Sequence, residues 1–478
     1  MESLLCDELL QEIFQRLPPS SSSTVPLVCK RWLIVHRNSR SFLFLRVPSA
    51  TPSSLRAFSS FLSRYPRLSS LSVVLVSPSD DSLDAVPGCE DNEEINSSLL
   101  ADQLLLAVAS NCPHLRHLQF FAGPVSPSTL LSLSSSCKHL SSLCLSSLRL
   151  LSFRWLTFFP SLKDLSVFDC SSVDSSDEDE SEFELPLETL CLSGIRAGDC
   201  GLGWLWRSCT KLRRLQLRSC EGTGDGDGDP FSSFIRCLPG LQELELRTCR
   251  TIADGVLLRL AQHCSSLHCL RLYDGGSRDG LHRFISRSRS TLQKLDLRLP
   301  LDLEDDHLSA VAENFTGLIS LRLQSCCLVT GEGLKTLGTA INAGLEELAL
   351  VNCDVIERKP GLLTTLGQSL RGLRTLDLSF NSRLSDKELV SMLVSCKNLV
   401  DAKLRGCRGL TGAALLSMFK NCKLLETIDI KQCCGIKADS VEFFLLNSPR
   451  LRQFHVEESK LSGVAKTCIS KKFIQIVG

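Results

Sequence analysis

The sequence predicts an α/β chain: a short N-terminal helical module, then a curved solenoid of stacked repeats with a parallel sheet on its concave face and helices on its convex face. Three observations carry this prediction. The frame Leu-x-x-Leu-x-Leu-x-x-Cys recurs at Leu212 to Cys220, Leu241 to Cys249, Leu318 to Cys326 and Leu345 to Cys353, and at Leu373 with Asn381 in the cysteine slot. From residue 115 onward the first leucines of successive frames are spaced 22 to 29 residues apart. Residues 1–47 obey a different rule, with Leu5, Leu9, Ile13 and Leu17 recurring every four residues along one helical face.

Taking the frames in order, the first leucines stand at 68, 115, 140, 162, 187, 212, 241, 267, 292, 318, 345, 373, 399, 425 and 451. In each frame Leu-x-Leu makes a strand whose two leucines point into the core. An amphipathic helix follows, clearest over residues 253–263 and 385–393. One such unit cannot bury its apolar face alone, whereas stacked units share a continuous core. The array resembles a leucine-rich-repeat domain, of the cysteine-containing subtype usual in F-box proteins. A short alternating strand at 42–48 starts the sheet.

The N-terminal module has more apolar surface than about 40 residues can bury, so part of it is expected to meet a partner. Leu10 and Phe14 widen its stripe, Asp7 and Glu8 suit the positive first turn of a helix, and Pro18-Pro19 ends it. Leu4-Leu-Cys-Asp-Glu-Leu-Leu-Gln-Glu-Ile-Phe-Gln-Arg-Leu17, followed by Leu27-Val-Cys-Lys-Arg-Trp32, resembles an F-box. The chain departs from that family in having Leu5-Cys6 where Leu-Pro is usual and a serine-rich connector. The resemblance implies three short helices that dock on the adaptor Skp1 of cullin–RING ubiquitin ligases through Leu9, Ile13, Phe14, Leu17, Leu27, Val28 and Trp32. The expected organisation is therefore an F-box domain over 1–47 and about fifteen repeats over 48–478.

Formal net charge is zero, so bulk electrostatics points to neither nucleic acid nor a membrane surface. No run of about 18 apolar residues occurs, and Met1-Glu-Ser-Leu-Leu-Cys-Asp-Glu lacks the positive start of a signal peptide. The expected compartment is cytoplasm or nucleus. Of the 24 cysteines, thirteen are locked to two repeat positions. Cys112, Cys137, Cys209, Cys264, Cys396 and Cys422 lie three residues before the first leucine; Cys170, Cys220, Cys249, Cys326, Cys353, Cys407 and Cys433 lie eight after it. Such locking assigns them to packing as reduced thiols, and no Cys-x-x-Cys pair offers RING-type zinc spacing.

Two acidic inserts, 77–98 and 174–184, read as loops, the second with Ser175 and Ser176 placed as acid-directed phosphorylation sites. Gly222 to Pro230 alternates glycine and aspartate like a calcium loop, but Arg236 stands where the distal glutamate belongs. After residue 456 the frame fades.

No catalytic constellation appears: there is no Walker loop, no Gly-x-Ser-x-Gly and no His-Glu-x-x-His, so no enzyme, cofactor or metal role is expected. The concave face is the informative surface. Its early strands carry small residues with Phe121 and Phe168. Its middle strands carry Arg218, Arg247, Arg271, Arg298 and Arg322, with Tyr273, on adjacent strands about 5 Å apart. Aligned guanidinium groups suit a carboxylate or phosphate partner, unless Glu245 and Asp296 neutralise them. The expected function is the substrate-recognition subunit of an SCF-type ubiquitin ligase: the F-box binds a Skp1-like adaptor and through it cullin-1 and the RING subunit, and this stripe holds the protein to be ubiquitinated. The alternative is a non-ligase repeat scaffold or inhibitor with an N-terminal helical cap. Some plant members bind an inositol phosphate or hormone, and no diagnostic pocket for either is evident.

Overall fold

The computed structural model describes residues 5–17, 24–48, 52–76, 90–148, 153–170, 183–199, 201–224, 231–299, 303–341, 344–353, 355–358 and 360–477. The chain divides into two compact units, Met1–Leu238 and Pro239–Gly478.

The first unit opens with α1 (Asp7–Arg16), a 3-10 turn (Val25–Leu27) and α2 (Lys30–Ser39). Seven strands follow: β1 (Phe42–Pro48), β2 (Ser70–Val76), β3 (His117–Val125), β4 (Ser142–Leu148), β5 (Asp164–Asp169), β6 (Thr189–Ser193) and β7 (Arg214–Arg218). Each pairs in parallel with the next. The second unit continues the pattern with β8 (Glu243–Arg247), β9 (Cys269–Tyr273), β10 (Lys294–Arg298), β11 (Ser320–Gln324) and β12 (Glu347–Val351). Then come β13 (Thr375–Asp377), β14 (Asp401–Lys403), β15 (Thr427–Asp429), β16 (Gln453–His455) and β17 (Gln475–Val477). These too are parallel, each beside its successor.

The leucines of the frame explain the register. Leu244, Leu270, Leu295, Leu321, Leu348 and Leu376 are in mutual register and buried. A one-residue slip would turn the whole column to solvent, so burial fixes the pairing. At the turn after eight of the strands, β7 to β13 and β15, the chain bends through a left-handed non-glycine residue: Ser219, Thr248, Asp274, Leu299, Ser325, Asn352, Phe380 and Gln432 all have φ between 49° and 64°.

The next position is the cysteine slot. All thirteen register-locked cysteines are buried and free. The later slot thiols donate across the stack: Cys353 to the Leu323 carbonyl at 3.5 Å, Cys407 to Leu378 at 3.1 Å and Cys433 to Leu404 at 3.0 Å. Asn381 fills the same slot, its amide nitrogen 2.8 Å from both Leu350 and Leu378 carbonyls, while its oxygen accepts from the Cys353 N–H at 2.9 Å. Burial raises these thiols: Cys112, Cys170, Cys407 and Cys422 to about 12, and Cys137, Cys396 and Cys433 to about 11.

One expectation needs correction. Residues 90–98, read as part of a loop insert, begin a helix, Glu90–Asn111; residues 77–89 of that insert lie outside the described residues, as do 174–182 with Ser175 and Ser176, and 225–230 of the Gly/Asp loop. The fading frame after residue 456 hides one more repeat: a helix, Gly463–Lys472, and β17 against β16. Its Lys472 ammonium reaches the Leu445 and Leu446 carbonyls at 2.7 and 3.0 Å, satisfying the end of the preceding helix.

Candidate protein-binding surfaces

The N-terminal module is built on two apolar stripes of α1. Leu10 and Phe14 turn inward, onto Val25 and Val35, with Leu17 and Trp32 packed against them. The Phe14 and Trp32 rings lie 5.3 Å apart and tilted. Leu5, Leu9 and Ile13, four residues apart, turn outward and stay exposed. The start of α2 is tied to the start of α1 by Arg31, which donates to Asp7 Oδ1 at 2.9 Å and to the Leu5 carbonyl at 2.7 Å. Cys29 Sγ caps α2 by accepting from the Trp32 N–H at 3.4 Å.

This geometry separates the seven residues expected to dock an adaptor. Leu9, Ile13, Leu27 and Val28 are exposed, Leu27 to 82%. Phe14, at 5%, is core, and Leu17 and Trp32 line that core. Within α1, Leu10 and Phe14 share the inward stripe and Leu9 and Ile13 the neighbouring exposed one; Leu5 precedes the helix and Leu17 ends it. Leu5 and Ile34 are further exposed apolar residues that the sequence reading left out of the docking set. Four-residue spacing already marked Leu5.

On the repeats, Arg218 belongs to the first unit; Arg247, Arg271, Tyr273, Arg298 and Arg322 belong to the second. The register places the second-unit residues in rows across the strands. One row reads Glu245, Arg271, Asp296, Arg322, Ala349, Asp377, Lys403, Asp429, His455. Charge alternates along it, broken once at Ala349, and Arg322 spans that break to reach Asp377 at 3.1 Å. Arg271 pairs with Glu243 at 3.3 Å. In the neighbouring row Tyr273 is clasped between Arg247 and Arg298, whose guanidinium carbons lie 4.9 and 4.3 Å from the ring centre. Arg247 also bonds Glu245 at 2.9 Å and Arg298 bonds Asp296 at 2.8 Å. Tyr273 donates its hydroxyl to Asp296 at 3.1 Å; burial, with this carboxylate beside it, pushes the phenol up to about 12.

Each second-unit arginine of the stripe therefore already has a carboxylate. The signal lay in the sequence as Glu245-x-Arg247 and Asp296-x-Arg298, since residues two apart on a strand share a face. A pocket of about 250 Å³ opens among Arg271, Arg298, Arg322 and Asp377 over Ala349.

Arg218 donates to the Gln216 amide oxygen at 3.0 Å and lies 6.0 Å from the Phe168 ring. Phe168 in turn meets Phe121 at 5.8 Å.

Among the described residues no three His, Cys, Asp or Glu side chains converge as a metal site, and no helix is long and apolar enough to cross a membrane.

The F-box domain family matches residues 3–38. The F-box/LRR-repeat protein 4 of Bos taurus is 27% identical over 233 residues, a match covering 43% of this chain and 37% of that protein. A chain in the crystal structure of the yeast Rad7 and Elc1 complex aligns with TM-score 0.43 at 15% identity, covering 99% of this chain and 92% of that one. The Leptospira interrogans LRR protein LIC12759 aligns with TM-score 0.37 at 15% identity, over 94% and 92%. The N-terminal module is an F-box domain, and the parallel ladder after it is built of leucine-rich repeats.

Proposed function

We propose that this chain is the substrate-recognition subunit of an SCF-type ubiquitin ligase. The observation that carries the reading is the exposed apolar set Leu5, Leu9, Ile13, Leu27, Val28 and Ile34 on a module whose own core is already closed by Phe14, Val25 and Val35. Apolar side chains left outside a completed core fit a protein partner. In an F-box that partner is a Skp1-like adaptor, which links to cullin-1 and the RING subunit. The repeats then hold the protein to be ubiquitinated on the open face of the sheet. The chain's contribution is proximity: it raises the local concentration of substrate lysines beside the charged E2, and the bond chemistry belongs to the other subunits.

The test is adaptor retention by the full chain. Leu9→Asp with Ile13→Asp should abolish Skp1 binding while leaving the melting temperature close to that of the parent. Failure of the intact chain to retain Skp1 would leave a repeat scaffold with a helical cap.

A further inference from the structure

The pocket of the second unit opens at the gap in the alternating row. Ala349 stands in register between Arg322 and Asp377, and its short side chain leaves the floor low where its neighbours are long and charged. Ser320 and Thr375 are short residues of the same wall, and the cavity they leave measures about 250 Å³.

The carboxylates inside this pocket are saturated, and the cations are not. Asp296 accepts from Arg298 Nε at 3.0 Å, from Arg298 Nη2 at 2.8 Å and from the Tyr273 hydroxyl at 3.1 Å. Asp377 accepts from Arg322 at 3.1 Å with one oxygen and from the Ser379 N–H at 3.0 Å with the other. Among the described residues, Arg271 makes a single hydrogen bond, to Glu243 at 3.3 Å, and Arg322 a single one, to Asp377. The Arg322 Nε is buried and has no hydrogen-bond partner there. Lys294 and the Ser320 hydroxyl line the same wall, also without a side-chain partner among the described residues.

The ion pairs Arg271–Glu243, Arg298–Asp296, Arg322–Asp377 and Lys403–Asp401 match the other charges around the pocket. They leave one cation, Lys294, and one carboxylate, Glu347, both exposed and unmatched among the described residues. A dianion such as phosphate would exceed that single spare positive charge. A carboxylate accompanied by a cation balances it.

We propose that this pocket is a substrate-recognition site. It takes the carboxylate of an acidic side chain through Lys294, Ser320 and the spare N–H groups of Arg271 and Arg322, while Glu347 takes a basic side chain beside it. The inference rests on the receptor reading above and names the substrate chemistry for it. Charge-assisted hydrogen bonds supply the hold, and the opposed signs of Lys294 and Glu347 supply the selectivity. These two residues flank Ser320 on β10 and β12, two strands and so about 10 Å apart. Alternate side chains of an extended segment leave the same side about 7 Å apart, and their length covers the rest. The recognised unit is therefore an acid and a base separated by one residue.

The experiment uses the full chain and fluorescent peptides, capped at both ends, with Glu-Ser-Lys, Gln-Ser-Lys, Lys-Ser-Lys or Glu-Ser-Glu at the centre. The Glu-Ser-Lys peptide is expected to bind, and its Gln-Ser-Lys counterpart to bind roughly tenfold more weakly, as loss of a hydrogen bond to a charged group predicts. Lys294→Glu should move the preference to Lys-Ser-Lys, and Glu347→Lys should move it to Glu-Ser-Glu. Both positions are exposed and unpaired, so melting curves should match the parent. Ala349→Leu, which fills the floor without touching a charge, is the further variant and should weaken every peptide. Absence of binding by the Glu-Ser-Lys peptide, equal binding of the Gln-Ser-Lys peptide, or indifference to Lys294→Glu and Ala349→Leu would overturn the proposal. Skp1 retention by the same preparation separates the two failures. A chain that keeps Skp1 and ignores the peptides overturns the pocket alone, and a chain that binds the peptide without retaining Skp1 overturns the ligase reading.

Discussion

Asp305 receives two hydrogen bonds from Thr330, twenty-five residues further on: the backbone N–H at 2.7 Å and the hydroxyl at 2.5 Å. An aspartate at the start of one repeat's helix thereby holds the residue that begins the next. The pattern recurs from Asp254 to the Ser277 N–H at 2.8 Å and from Asp386 to Thr411 at 2.9 Å. In the first unit Asp102, within the helix Glu90–Asn111 and not at its start, likewise accepts from the Ser126 N–H at 2.9 Å. The stitch also explains two helical glycines. A Cβ on Gly333 would sit 2.3 Å from Asp305 Oδ1, and one on Gly280 would sit 2.1 Å from Asp254 Oδ1.

Asp305→Ala should therefore cost roughly 1–2 kcal/mol, the net worth of two hydrogen bonds whose donors are left to water. Gly333→Ala should also destabilise, because the methyl collides with the carboxylate. In the double variant the collision is gone, and alanine's helix preference, about 1 kcal/mol over glycine, becomes visible. Urea titration of the four proteins checks this. Simple additivity would mean the two residues are not coupled.

Phe14→Ala and Ile13→Asp should fail in different assays. Phe14 fills the core of the F-box domain, so its truncation should cost roughly 3–5 kcal/mol of that module's stability. Ile13 is exposed, so its replacement should spare the melt and remove the adaptor. Paired thermal and pulldown measurements on each variant would show equal behaviour only if the inward and outward stripes of α1 are wrongly divided.

Leu299 holds φ at 49° with its side chain exposed, a conformation that costs a branched aliphatic residue about 1 kcal/mol. Leu299→Asn should raise the stability by that order, read as a higher denaturation midpoint. A lower midpoint would mean that the leucine makes a compensating contact.

Alkaline pH should loosen the stack. Burial raises the slot thiols from an ordinary value of 9.0 to about 11 or 12. A thiol that stays protonated in the fold and ionises once unfolded contributes its full stability below pH 9. That contribution falls as pH rises from 9 towards 11–12, by up to about 1.4 kcal/mol per pH unit for each such thiol. Chemical denaturation at pH 8, 9 and 10 should give a level region and then a decline. Native-state alkylation at pH 8 should label exposed Cys6, Cys327 and Cys434 first.

The sequence was most legible where one residue type repeats at a fixed interval. The leucine columns, the buried cysteines and strand β1 all follow from spacing, because burial on one face permits only one register. Legibility failed where the deciding contact lies one strand away. The arginines looked aligned and available, but Arg271 leans on Glu243 and Arg322 reaches across two strands to Asp377. Neither partner is adjacent in the chain. The inward turn of Phe14 was equally hidden, because α1 is apolar on two sides and periodicity alone does not say which side the module closes upon. The last repeat was faint because Phe473 stands where its frame should open on leucine, the register pairing Gln475 with Gln453 of the frame that opens at Leu451.

Asn381 occupies a place that thiols hold elsewhere in the stack, and it joins Leu350, Cys353 and Leu378 without sulfur. An amide is inert to peroxide, whereas each buried thiol becomes a weak point once the fold opens long enough for an oxidant to enter. The architecture therefore has a working sulfur-free version of its own joint. Copying that joint into neighbouring turns would yield a repeat stack with fewer oxidisable groups in its core.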